Sequence, residues 1–256
     1  MKINFKTELF IPSKLNSIQK KVILEDIYHL VKHSWGEFEK DFLEEHILKS
    51  ERLIIGWHNN KLIGFCAMRK KNIFNKVIHY IEFTVVHEDF QKSELGTKLT
   101  YGVLRDLFFK NIFKIIFKPI EVMFITSNIR TISRAARFAD FIYPNPYLAD
   151  PETGKISIPD DETWVMAKTL VKEENPECIL KREGLVLSGF YLNRPWFIYQ
   201  NSKIPWHYNE IINKFADRYL GYNKKDGKEF VVRVQFGIIS LLKYWFLSFK
   251  KYFIKV

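Results

Sequence analysis

The chain has 256 residues, of which 47% are hydrophobic and 27% charged, with a formal net charge of +11. That composition excludes a disordered or collagen-like chain and is enough for one large core or two modest ones. The two cysteines, Cys66 and Cys178, form no CxxC pair, which argues against a disulfide framework or a zinc site and for a reducing compartment.

No apolar run follows Met1–Phe5, and no window reaches the roughly 18 apolar residues of a membrane span. Neither a signal peptide nor a transmembrane helix is expected, and the expected location is cytoplasmic. The excess of basic residues suits an acidic partner: a phosphorylated cofactor, an acidic carrier protein, an anionic membrane or nucleic acid. Lys and Arg are spread along the whole chain and no nucleic-acid motif is present, so nucleic acid ranks lowest.

In chain order, residues 4–10 alternate like a strand. Pro12-Ser13 opens a helical stretch in which Leu15, Ile18, Val22, Ile23, Ile27, Leu30 and Val31 recur at three- and four-residue spacing. A second helix is expected over Glu37–Lys49. Three strands follow, at Arg52–Trp57, Leu62–Met68 and Val77–Val86. The first two are joined by a His58-Asn-Asn-Lys61 turn, because Asn tolerates positive φ. Residues 94–113 read as a helix through Leu95, Leu99, Val103 and Leu107. Then come a strand at Glu121–Thr126, a short helix at Arg130–Ala139, a proline-rich loop over 144–161 and a strand at Thr163–Leu170.

Residues 172–184 are charged, contain Pro176 and resemble a linker. Beyond them lie a strand-like run over Leu185–Tyr199, a helix over Tyr208–Leu220 and a last segment from Phe230 to Val256. Successive strands imply antiparallel hairpins, and the later strand–helix–strand implies a parallel crossover. The expected class is therefore mixed α/β: a mostly antiparallel sheet flanked by helices, with a first domain over 1–171 and a C-terminal extension over 172–256.

The stretch Val85-Val86-His-Glu-Asp-Phe-Gln91-Lys92-Ser93-Glu94-Leu95-Gly96-Thr97 carries the chemistry. It joins the longest strand to a helix, and a helix N-terminus presents outward N–H groups and a positive dipole end to an anion such as pyrophosphate. A glycine at 96 lets the backbone approach such a group. Glu82 interrupts the apolar strand just before it. An attacking amine must lose a proton, and a carboxylate so placed is a candidate base. Strand alternation puts Tyr80, Glu82, Thr84 and Val86 on one face, and His79 and Ile81 on the other.

At these residues the chain resembles the GNAT superfamily of N-acyltransferases. The family's acyl-CoA motif, Gln/Arg-x-x-Gly-x-Gly/Ala after a strand ending in Val, is matched by Gln91 and Gly96, while Glu94 stands in place of the first glycine. Glu121–Asn128, the following Ala-rich helix and Phe141 resemble the family's second motif. There Asn128 fits the strand end, but Ala136 falls where the usual acid, a tyrosine, would be, and Asp140 replaces the glycine before Phe. Tyr143 is a substitute acid by proximity in sequence alone.

The resemblance covers roughly residues 1–170. It implies acyl transfer from acetyl-CoA, a longer acyl-CoA or the phosphopantetheine of an acyl carrier protein to a small-molecule or peptide amine, without a metal. The implied donor site runs over Val85, Val86 and Gln91–Thr97, and the implied catalytic group is Glu82, Tyr80 and Asn128. Glu94 and the phenylalanine content tilt the donor towards a long acyl chain. A second reading is a non-catalytic relative acting through a membrane- or partner-binding C-terminal region, which the loss of the tyrosine and of the first glycine would suit.

Two further segments are aromatic and basic: residues 107–118, and residues 236–256. In the second, Ile238, Leu241, Leu242, Trp245, Phe246, Phe249 and Phe253 form one helical stripe beside Lys243, Lys250, Lys251 and Lys255. That pattern fits either an interfacial helix on an anionic membrane or a helix packed on the body of the protein.

Overall fold

The structure is a computed structural model that describes residues 4–91, 93–189, 205–221 and 227–243. Its elements, in order, are β1 (Lys6–Phe10), α1 (Ser17–Trp35), α2 (Lys40–Leu48), β2 (Arg52–His58), β3 (Lys61–Ile73), β4 (Lys76–Val86), α3 (Leu95–Ile115), β5 (Ile120–Thr126), α4 (Ile129–Phe138), β6 (Phe141–Tyr143), α5 (Asp161–Glu174), β7 (Ile179–Lys181), β8 (Val186–Ser188), α6 (Glu210–Leu220) and β9 (Glu229–Phe236). This is the mixed, mostly antiparallel α/β class that the sequence predicts. The chain divides into two compact units, residues 1–71 with 79–112, and residues 72–78 with 113–256.

In the first unit β1, β2 and β3 run antiparallel, with Glu8 opposite Ile55 and Ile55 opposite Phe65. The Asn59–Asn60 turn takes positive φ at both residues, as expected of a two-residue hairpin. Helix α1 begins at Ser17, later than Pro12, because Asn16 and Gln19 close a reciprocal capping box there. Pro12–Lys14 is a short 3₁₀ turn.

Helix α3 lies close over the strands because two strand positions lack a Cβ. A Cβ on Gly64 would stand 3.0 Å from the Val85 carbonyl oxygen and 3.1 Å from the Leu99 side chain, and one on Gly56 would stand 2.7 Å from the Leu95 side chain. Leu95 and Leu99 are fully buried there. The aliphatic spacing read from the sequence is thus the face by which α3 packs.

In the second unit β9 is the central strand. It pairs antiparallel with β5 (Met123 opposite Arg233), with β6 (Ile142 opposite Val234) and with β8 (Val186 opposite Phe230), and β7 extends β8. Among its buried valines lies Arg233, only 1% exposed. Glu121 accepts from it twice, at 3.1 and 2.9 Å, Thr163 Oγ1 at 2.9 Å and Glu162 at 3.0 Å. A guanidinium can be buried at that depth only with its donors met in this way.

The structure corrects the reading in two places, residues 163–170 and residues 172–184. Residues 163–170, expected as a strand, lie in helix α5. Asp160 caps it by accepting from Thr163 N–H at 2.6 Å, and Thr163, Met166, Ala167, Leu170 and Val171 form its buried stripe. The cap and this three- and four-residue spacing outweigh the local β-propensity of Thr, Trp and Val. The strand–helix–strand crossover ends instead at β6: β5 and β6, joined by α4, both run antiparallel to β9 and so parallel to one another. Of the linker-like stretch 172–184, the first residues complete α5 and Ile179–Lys181 form β7. The run 185–199 contributes only the short strand β8 among the described residues, and the rest of it lies outside them. The last segment is a strand through Phe236 followed by a helix over 238–243, and the remainder of the aromatic stripe, from Trp245 to Phe253, lies outside the described residues. No described helix is long and apolar enough to cross a membrane.

Candidate active site

In the first unit α2, β3 and β4 converge on Glu82, whose side chain is only 5% exposed. His46 Nδ1, on α2, donates to one carboxylate oxygen. Arg69 Nε, on β3, stands 2.7 Å from the other, a charge contact rather than an aligned hydrogen bond. The Arg69 guanidinium carbon also lies 5.8 Å from the centre of the Tyr80 ring, with Lys71 Nζ at 5.9 Å. Tyr80 and Glu82 are therefore brought together around one arginine. His79 instead stands 3.6 Å from Glu51, and Thr84 donates to Cys66 Sγ at 3.4 Å.

Aromatic rings line one side of the pair. The Phe42 ring stacks on His46 at 3.9 Å, and Phe83 lies 6.2 Å away. Phe83 in turn meets Trp35, Phe38 and Phe65. Helical spacing puts Phe42 and His46 on one side of α2. Poor solvation strengthens an ionic hydrogen bond and holds its geometry. Because Nδ1 carries the proton given to Glu82, the lone pair of neutral His46 is on Nε2.

Beyond Glu82, β4 ends at Val85, which is buried, and Val86. Gln91 Nε2 donates to the Val86 carbonyl at 3.4 Å. Ser93 Oγ donates to Phe90 O at 2.5 Å and accepts from Leu95 N–H at 3.1 Å, while the Glu94 carbonyl accepts from Lys98 N–H. Ser93 and Glu94 thus close the start of α3. Gly96 and Thr97 carry first-turn N–H groups that the helix itself cannot satisfy. A Cβ on Gly96 would meet only Val86 Cγ2, at 3.5 Å. Unlike Gly64, this glycine is not required by the protein's own packing. Lys92 lies outside the described residues.

The other expected residues belong to the second unit. Asn128 is the N-cap of α4, accepting from Arg130 N–H at 3.0 Å. The hydroxyl of Tyr143 donates to Ser157 O at 2.9 Å and accepts from Gly184 N–H at 3.2 Å, and burial raises its pKa. Both of those bonds are structural. Ala136 is half-buried on α4.

Over residues 24–120 the sequence matches the Acetyltransferase (GNAT) family. The matched segment holds α2, β2, β3, β4 and α3, and so contains His46, Arg69, Tyr80, Glu82 and the loop from Val86 to Thr97. Asn128 and Tyr143 lie outside it. Acyl transfer is the reaction class of that family.

No curated protein matches the chain. Solved structures similar to it include an acyl-CoA N-acyltransferase from Pseudomonas aeruginosa, with 10% identity over 53% of this chain and 87% of that one, at a TM-score of 0.40. A GNAT-family acetyltransferase from Streptococcus pneumoniae has 14% identity over 40% and 67%, at 0.32. A ribosomal-protein-alanine N-acetyltransferase from Brucella melitensis has 16% identity over 42% and 73%, at 0.31.

His46 and Arg69 are the two residues of the Glu82 cluster that sequence reasoning did not single out. Arg69 carried a signal: it stands five residues before the Phe74–Asn75 turn and Glu82 seven after it, which makes them diagonal neighbours on paired strands, where opposite charges can meet. His46 carried none, because its helix and β4 are far apart in sequence.

Proposed function

We propose that the chain transfers an acyl group from acyl-CoA to an amine, and that Glu82 and His46 work as a pair in the proton transfer. The supporting observation is the Glu82 cluster, a carboxylate with His46 on one oxygen and Arg69 on the other, on the strand that leads into α3. With both oxygens engaged, Glu82 orients the imidazole. The Nε2 lone pair of His46 takes the proton of the attacking amine. Tyr80 packs on Arg69 and keeps that guanidinium turned towards Glu82.

Gln91, Ser93, Gly96 and Thr97 would hold the pyrophosphate of CoA at the start of α3, and when bound the thioester supplies the activated acyl group. Val85 and Val86 offer the strand backbone beside it. Asn128, capping α4, orients the end of β5. The acceptor class is a small molecule or peptide with a primary amine. An acyl-carrier-protein donor presents the same phosphopantetheine, and comparing donors distinguishes it from CoA.

Two measurements test this reading. Saturating CoA, acetyl-CoA and a long-chain acyl-CoA are each added to a thermal melt. A ligand at about 100 times its Kd stabilises a fold by roughly 2.7 kcal/mol, a rise of several degrees for a chain of this size. In thiol-release assays His46→Gln and Glu82→Gln are expected to lower kcat by about 10²–10⁴-fold while keeping the CoA-induced melting shift. Unchanged turnover in both variants would rule out the pair. The absence of any CoA shift would favour a carrier-protein donor or the non-catalytic reading.

A further inference from the structure

Two aromatic and basic segments, far apart in sequence, meet at one end of the second unit. Strands β5 and β9 are antiparallel with Ile120 opposite Phe236. Residues 113–119 lead into β5 at that point, and residues 237–243 leave β9 there. A Cβ on Gly237 would stand 3.7 Å from Pro119 Cβ, so the two segments adjoin. Asp140 secures the second one: its carboxylate accepts from Ser240 N–H at 2.7 Å and from the Ser240 hydroxyl. Leu241 N–H bonds to Gly237 O at 3.1 Å, closing the first turn of the helix.

Both segments turn apolar side chains outward. Phe113 and Phe117 are 81% and 89% exposed, and Ile116 is exposed beside them; from the other segment Ile238, Ile239 and Leu242 are exposed. Large apolar side chains are seldom clustered in water unless they meet a partner. Lys114, Lys118 and Lys243 are exposed among them. Neither 113–119 nor 236–243 contains an Asp or Glu. The acid that faces them, Asp140, is engaged by Ser240. Beyond the described residues the sequence continues in the same composition, with Trp245, Phe246, Lys250 and Lys251.

We propose that this composite face is a peripheral docking surface for an anionic lipid membrane. The phenylalanines and isoleucines would enter the boundary between headgroups and acyl chains, and the lysines, whose stems lie along the apolar surface, would hold their ammonium groups at the lipid phosphates. A surface with lysines and no acids repels a second copy of itself, which favours lipid over self-association. The proposal rests on the β5–β9 register and on exposure, independently of the acyl-transfer reading.

The test is co-sedimentation of the full chain with vesicles of phosphatidylcholine alone and of phosphatidylcholine mixed with phosphatidylglycerol. The chain is expected to pellet with the mixed vesicles and much less with phosphatidylcholine. A Phe113→Ser/Phe117→Ser variant is expected to lose that binding. A Lys114→Glu/Lys118→Glu variant should weaken it by at least about fivefold per lysine. These side chains are exposed, so both variants should melt like the parent chain. Three results would overturn the proposal: no pelleting of the parent chain with mixed vesicles, pelleting undiminished in both variants, or a dimer in sedimentation velocity that the Phe variant abolishes while no lipid binding is seen.

Discussion

At the scale of single residues, the charges of the first unit divide by environment. His79, 3.6 Å from one oxygen, and the Arg52 guanidinium, 2.6 Å from the other, hold the Glu51 carboxyl down at about 2 against the opposing effect of burial. Arg52 itself bonds to Asp106 at 2.5 Å. A carboxylate with a depressed folded-state pKa stabilises the fold above its unfolded value, here 4.5, and that contribution is lost as pH falls from 4.5 towards 2. Glu51→Gln should therefore melt below the parent chain at pH 7, with the gap narrowing as pH is lowered through that window; a gap independent of pH would refute the assignment. Cys66 is the opposite case. Burial pushes its thiol up to about 11, so it is a neutral core group and not a nucleophile. Ser133 and His207 lie 3.0 Å apart, but His207 Nδ1 accepts from Asn209 N–H. Nε2 then carries the hydrogen and donates to the serine, the wrong tautomer for a base.

At the scale of elements, two glycines around α3 have different reasons to be there. Gly64 is a packing glycine, because an added methyl would meet the Val85 carbonyl, which belongs to a strand and cannot swing away. Gly64→Ala should cost about 1–3 kcal/mol by overpacking, measured as a lower urea midpoint with an unchanged slope. Gly96 has open space before it. Gly96→Ala should leave the melting temperature unchanged yet reduce the shift produced by CoA. Equal losses of stability in the two variants would mean that Gly96 is also there for packing. The start of α3 was legible in the sequence because a strand, a turn and an amphipathic helix each leave a local pattern. Helix α5 was misread because its stripe begins in a Thr-Trp-Val run that favours strands, and what decides it is the Asp160 cap.

At the scale of the whole molecule, the second unit is organised around Arg233, which joins β9 to Glu121 on β5 and to Glu162 and Thr163 on α5. Arg233→Met leaves the buried Glu121 carboxylate without its cation. Removing one partner of such a pair costs about 3–5 kcal/mol, so a clear drop in chemical stability is expected. A variant as stable as the parent would mean that the network is compensated elsewhere. The apolar face formed by 113–119 and 237–243 is a product of the same register, since it exists only because Phe236 pairs with Ile120.

The sequence by itself determined the mixed α/β class, the hairpin at Asn59–Asn60, the β4-to-α3 junction and the candidacy of Glu82. Each of these is written in periodicity or turn chemistry within a few residues. Only the tertiary structure placed His46 and Arg69 on Glu82, put β9 beside β5, made a helix of residues 163–170 and brought the two aromatic segments together. Those outcomes depend on register and on contacts between residues distant in sequence, where many pairings satisfy the local preferences equally and burial of the core selects among them.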